Sequence, residues 1–175
     1  MGFSNRSVET SQTRREEQQR PLSVSEIERD TVSAVTHPFR KAVEARDEAA
    51  IEASLADDVV FTSPVAFKPY PGKPITAAIL RAVMRVFEDF RYIREIADSE
   101  GRDHALIFEA TVAGKKITGC DFLHLDDDGL IDDFMVMVRP LSGATALSEA
   151  MGAQFERIQR EALEFAPELS NAQGH

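Results

Sequence analysis

Residues 104–139 read HALIFEATVAGKKITGCDFLHLDDDGLIDDFMVMVR. Two positions in this stretch break a period of two: Ala113-Gly114, and Asp127-Asp128-Gly129. Both are tight-turn compositions, because small, acidic and glycine residues tolerate the backbone angles that a hairpin needs. Between them lie three runs in which apolar residues alternate with polar ones, the signature of half-buried strands. They are His104–Val112, Lys116–Leu125 and Ile131–Arg139, the last ended by Pro140. A fourth run, Phe90–Ala97, precedes them. The stretch therefore predicts an antiparallel meander.

Upstream the period changes to that of helices. Thr36-His37-Pro38 is a helix start, with Pro in the first turn and Phe39, Ala42, Val43 and Arg46 at helical spacing. Asp47 is placed to cap a second helix whose buried face is Ala50, Ile51 and Leu55, stopping at Asp57-Asp58. Val59–Ser63 is a strand closed by Pro64, and 67–73 is loop. Residues 74–87 are helical again, with Ile75, Ile79, Leu80, Val83, Val86 and Phe87 recurring at steps of three and four. After Pro140, over 141–175, Leu147, Met151, Phe155 and Ile158 form one stripe of a C-terminal helical extension. At the other end, 1–21 is polar and charged and is expected to be disordered. A short helix is expected over 22–35, where Ser23/Glu26 or Ser25/Glu28 supply capping pairs. Segregated helices and strands define an α+β class. The domain proper is 36–140: three helices on one side of a curved sheet, leaving a conical cavity between.

Composition narrows the function. The chain of 175 residues carries 30 acidic and 20 basic side chains, a net charge of −10. Such a field repels nucleic acid and anionic membrane at long range. No apolar run has the length of a membrane span, and the first twenty residues lack the apolar block of a signal peptide, so the cytoplasm is the expected location. His37, His104, His124 and His175 show no metal-ligand spacing among themselves or with Cys120, the one cysteine. Asp126-Asp127-Asp128-Gly129 lacks the alternating ligands and distant Glu of a calcium loop, and a polar hairpin explains it better. No phosphate-binding glycine loop, nucleophile elbow or paired-cysteine motif is present, so neither metal nor cofactor is expected.

One side chain stands against its surroundings. Asp121 shares a strand face with Ile117, Gly119, Leu123 and Leu125. With hairpins in simple register, Phe108, Phe134, Val136 and Val138 face the same way. An acid there must find a partner, meet a ligand or hold its proton. Two readings stand: a protonated donor or acid/base aimed into a pocket, or a structural Asp bonded to Ser63, Tyr70 or backbone. The other face carries Phe122, His124, Met135, Met137 and Arg139, and exposed Met and Phe side by side there make an apolar patch unusual for a monomer.

The run AVEARDEAAIEASLADDVVFTSPV (42–65) and the run GCDFLHLDDDGLIDDFMVMV (119–138) resemble the opening and the last hairpin of nuclear transport factor 2-like (SnoaL-like) proteins. The resemblance implies a cone-shaped fold and an apolar pocket. The family includes ketosteroid isomerase, whose base would fall on Ser63, oxyanion-hole Tyr on Phe39 and oxyanion-hole Asp on Asp121. Ser63 is no base at neutral pH unaided, and Phe39 donates no hydrogen bond. The first expectation is therefore binding of a small apolar or aromatic molecule by Phe39, Ser63, Val83, Phe108, Leu123, Phe134, Val136 and Val138. One alternative is an isomerase, cyclase or dehydratase acting on a polycyclic or steroid-like substrate with Asp121 as acid/base. A dimeric structural or assembly module is another. The resemblance also implies a homodimer through the outer sheet face.

Overall fold

The structure, a computed structural model, describes residues 36–164. The tail expected over 1–21, the helix expected over 22–35 and the chain from 165 onward lie outside the described residues.

The described chain runs α1 (Pro38–Glu44), α2 (Glu48–Ala53), β1 (Leu55–Thr62), β2 (Tyr70–Pro71), α3 (Lys73–Val86), β3 (Glu88–Ala97), β4 (Asp103–Val112), β5 (Lys115–Leu125), β6 (Ile131–Arg139) and α4 (Leu141–Glu164). Local chemistry explains the boundaries. His37 Nδ1 accepts from the Phe39 amide, and Pro38 follows it, so α1 begins with one orphan donor satisfied and one absent. Asp47 caps α2 by accepting from the Ala50 amide at 3.0 Å. Ala113 (φ 46°) and Gly114 (φ 75°) form the two-residue turn between β4 and β5. Asp126 Oδ1 accepts from the amides of Asp128 and Leu130, so the acidic run before β6 is turn chemistry.

The strands form one six-stranded curved sheet in the order β2-β1-β6-β5-β4-β3. The β3–β6 meander is antiparallel throughout, as the alternation predicts. Outside that antiparallel meander, β1 lies parallel to β6. Chain direction dictates this, since β1 joins the sheet beside the last strand rather than through a hairpin. Two expectations need correction. Leu55 belongs to β1 rather than α2; Ser54 ends the helix, and Leu55 and Ala56 enter the core at 0% and 2% exposure. A shift of register between Leu55 and Val60 leaves Asp57 and Asp58 both facing solvent. Arg46 is not helical but sits in the left-handed region at φ 54°.

The core lies between the sheet's inner face and the helices. Phe39, Phe108 and Phe134 are each no more than 1% exposed, and burying each stabilises the fold by roughly 1.5–3 kcal/mol. α4 packs against α3 and against β4, β5 and β6. Leu147 and Ile158 are buried, but Phe155 is 41% exposed. Eight residues on from Leu147 is about 80° around the helix, which takes Phe155 off the buried row. Gly143 allows the close approach: a Cβ there would stand 2.4 Å from Ile117 Cγ2.

Candidate functional site

A cavity opens between the sheet's inner face and the helices. Its walls come from α1 and the turn after it (Phe39, Val43, Glu44, Arg46), α3 (Ile79, Leu80, Val83, Met84) and α4 (Leu147, Met151). The strands add Phe61, Phe90, Tyr92, Phe108, Asp121, Phe134 and Val136, and the segment after β1 adds Ser63, Pro64 and Val65. The volume open to the centre of a water molecule is about 110 Å³, several times the roughly 10–15 Å³ that one water needs on this measure. Apolar lining with a few polar groups is the usual character of a small-molecule site.

Among the described residues of the lining, the ionisable ones are Glu44, Arg46, Tyr92 and Asp121. Asp121 is 7% exposed and pairs in register with Leu106 on β4 and Val136 on β6. The Tyr92 hydroxyl donates to Asp121 Oδ2 at 2.7 Å, from β3, two strands away. Phe108 lies on the strand between them, and its ring covers Gly119, where a Cβ would stand 2.1 Å from Phe108 Cζ. A glycine at 119 thus seats the ring flat against β5. Burial disfavours the charged carboxylate and raises the Asp121 pKa from 3.8 to about 7, although the Tyr92 hydrogen bond pulls it down. The same burial, with Asp121 adjacent, raises the Tyr92 phenol well above its ordinary value. Oδ1 of Asp121 makes no hydrogen bond among the described residues. Near neutrality the carboxyl group can therefore donate to a ligand oxygen when protonated and accept when ionised.

A second layer supports the pair. The Arg40 guanidinium lies 5.7 Å from the centre of the Tyr92 ring. Arg40 is held by Glu44 at 2.9 Å and Glu95 at 3.4 Å. Glu95 also accepts from the His37 amide. Burial beside His104, with ring centres 4.4 Å apart, lowers the His37 pKa to about 4.

Of the residues expected at the site, the structure brings Phe39, Ser63, Val83, Phe108, Asp121, Phe134 and Val136 to the cavity. It does not bring Leu123 or Val138. Both share the face of Asp121, but Leu123 is core between His104 and Phe134, and Val138 pairs with Gly119 near the end that α4 covers. Alternation along a strand reports the face, not the depth of the cavity above it. Ser63 accepts from the Val65 amide at 3.2 Å and leaves its hydroxyl hydrogen available. Neither Ser63 nor Tyr70 partners Asp121; Tyr92 does, and sequence reasoning missed it. The signal present was an aromatic residue two positions from Phe90 in a strand. A register shift between Tyr92 and Arg94 hides the continuation, because it breaks the alternation that would have marked Tyr92 as inward.

The SnoaL-like domain model matches residues 35–134. The chain belongs to the SnoaL-like family. It is similar to a steroid delta-isomerase from Pseudomonas aeruginosa, with 43% identity over 70% of this chain and 89% of the other, at a TM-score of 0.66. It is also similar to an uncharacterised bacterial protein with a cystatin-like fold from Silicibacter pomeroyi DSS-3, with 37% identity over 70% of this chain and 86% of that one, at a TM-score of 0.66. None of the curated proteins matches it. The SnoaL-like assignment agrees with the α+β architecture and the cavity between sheet and helices. No helix among the described residues is long and apolar enough to cross a membrane.

Proposed function

We propose that this SnoaL-like domain binds a small, largely apolar or aromatic organic molecule that carries a hydrogen-bonding oxygen, and that Asp121 is the polar anchor for that oxygen. One observation carries the reading: a buried carboxyl group, bonded to Tyr92 at 2.7 Å, borders a cavity whose walls are mostly Phe and aliphatic side chains. Phe39, Ser63, Val83, Phe108, Phe134 and Val136 supply the walls; Leu123 and Val138 act one layer behind. Tyr92 orients the carboxyl group and leaves Oδ1 for the ligand.

A thermal-shift screen of aromatic and polycyclic ketones and phenols tests this, since a ligand that binds only the folded state raises the melting temperature by mass action. Hits should lose part of their shift with Asp121→Asn and nearly all of it with Asp121→Leu. A hit set indifferent to both variants sinks the assignment of Asp121 as anchor.

A second reading has its own support. A carboxyl group held near pH 7 suits proton transfer at neutral pH, and a similar chain is a steroid delta-isomerase. In that reading Asp121 moves a proton on a polycyclic or steroid-like substrate, with Ser63 unable to serve as the base. Double-bond migration in a 3-oxosteroid, followed by absorbance, tests it: turnover abolished in Asp121→Asn with binding retained supports the enzyme.

The outer sheet face supports a third element, assembly as a homodimer. Ile93, Ile96, Phe122 and Met137 are between 37% and 54% exposed there, an apolar surface that a second copy would cover.

A further inference from the structure

Arg46 occupies a position that backbone chemistry would give to glycine. It follows α1 with φ 54°. Its amide donates to Val43 O at 3.0 Å and the Asp47 amide to Ala42 O at 2.9 Å, closing the helix end. Left-handed residues at helix ends are mostly glycine, because a Cβ is strained there. The residue nevertheless borders the cavity while being solvent-exposed, so it stands where the cavity meets water. Its charge is available. The lining residue Glu44 is already paired with Arg40 at 2.9 Å, and Arg46 makes no ion pair among the described residues. A net charge of −10 repels anions from the protein as a whole, so an uncompensated guanidinium at the mouth is a local exception to the field.

We propose that Arg46 recognises an anionic group at the cavity mouth, and hence that the ligand is an amphipathic organic acid: an apolar or aromatic body inside, an oxygen at Asp121, and a carboxylate or similar anion at the rim. This rests on the reading of the cavity as a ligand site. The planar guanidinium offers paired donors to a carboxylate, which a lysine would not.

The test uses two matched fluorescent probes, 1-anilinonaphthalene-8-sulfonate and N-phenyl-1-naphthylamine, which share the aromatic body and differ in the anion. At low salt, Arg46→Gln should weaken the sulfonate probe about five-fold, the upper range of a solvent-facing ion pair, and leave the neutral probe unchanged. Added salt should shrink that difference. Arg46→Gly should also weaken the sulfonate probe while raising the melting temperature, because it relieves the left-handed backbone. Equal effects on both probes, or none on either, overturn the proposal while leaving the cavity reading intact. If neither probe binds the wild type, or if binding survives Val83→Trp, which fills the cavity, the cavity reading fails and takes this inference with it.

Discussion

Asp121→Asn should change the slope of stability against pH. In the native protein the Asp121 carboxyl titrates at about 7, raised from 3.8 by burial. In the unfolded chain it ionises near 3.8, so between these values the native state holds a proton that the unfolded state has lost. Stability from this group is therefore greatest at low pH and declines as pH rises through the window. At about 1.4 kcal/mol per unit, the whole window is worth about 4 kcal/mol, and the part between about pH 5.5 and 7 about 2 kcal/mol. His37 acts in the opposite sense. Its pKa is lowered from 6.5 to about 4, first by burial and then by His104. The unfolded chain takes up that proton first, so stability is lost as pH falls below 6.5, by about 3 kcal/mol in all. Between about pH 4 and 6.5 the two slopes largely cancel in the wild type. Asn keeps an oxygen to accept from Tyr92 but does not titrate. The variant should thus lose stability on acidification relative to the wild type, in which these two groups offset each other, and should exceed the wild type above about pH 7. Urea denaturation of both proteins from about pH 5.5 to 8 measures this, and the difference between them cancels every other titrating group. A wild-type-minus-variant difference that stays constant across that range refutes the reasoning, because it means that native Asp121 is ionised throughout.

Tyr92→Phe removes a hydrogen bond that favours the ionised carboxylate, so the Asp121 pKa should move further up, and stability should fall by roughly 1–3 kcal/mol; carboxyl-carbon chemical shifts against pH and a denaturation curve read both. Gly119→Ala places a Cβ into the Phe108 ring and should cost on the order of 1–3 kcal/mol by overpacking, and adding Phe108→Leu should recover part of it in a double-mutant cycle. Met137→Lys puts a charge in the middle of the outer sheet face, where Met137 is 54% exposed. Sedimentation at micromolar concentration should show a wild-type dimer turning into a monomer, and a wild type that is already monomeric ends the dimer proposal.

Much of this was legible in the sequence because it depends on local rules. The meander follows from a period of two interrupted by Ala113-Gly114 and Asp127-Asp128-Gly129, whereas the pairing of Asp121 with Val136 and of Phe122 with Met135 also needs the register shift between His124 and Leu125, which the turn lengths do not encode. Strand alternation placed Asp121 inward and Met137 outward without any knowledge of neighbours. Helix starts were readable at His37-Pro38 and Asp47, where capping is settled within four residues. Only tertiary structure decided the rest. The parallel seat of β1 beside β6 depends on a path through α3 and four intervening strands, which no local pattern encodes. The depth of the cavity, which takes in Phe39 and Val136 and leaves out Leu123 and Val138, depends on where the helices stop covering the sheet. The partner of Asp121 depends on reach across β4, permitted by a ring lying over Gly119 and masked by a shift of strand register. Turns and caps are short-range and set by the few residues that make them, whereas hydrogen bonds between side chains 29 positions apart arise only when packing brings the strands together.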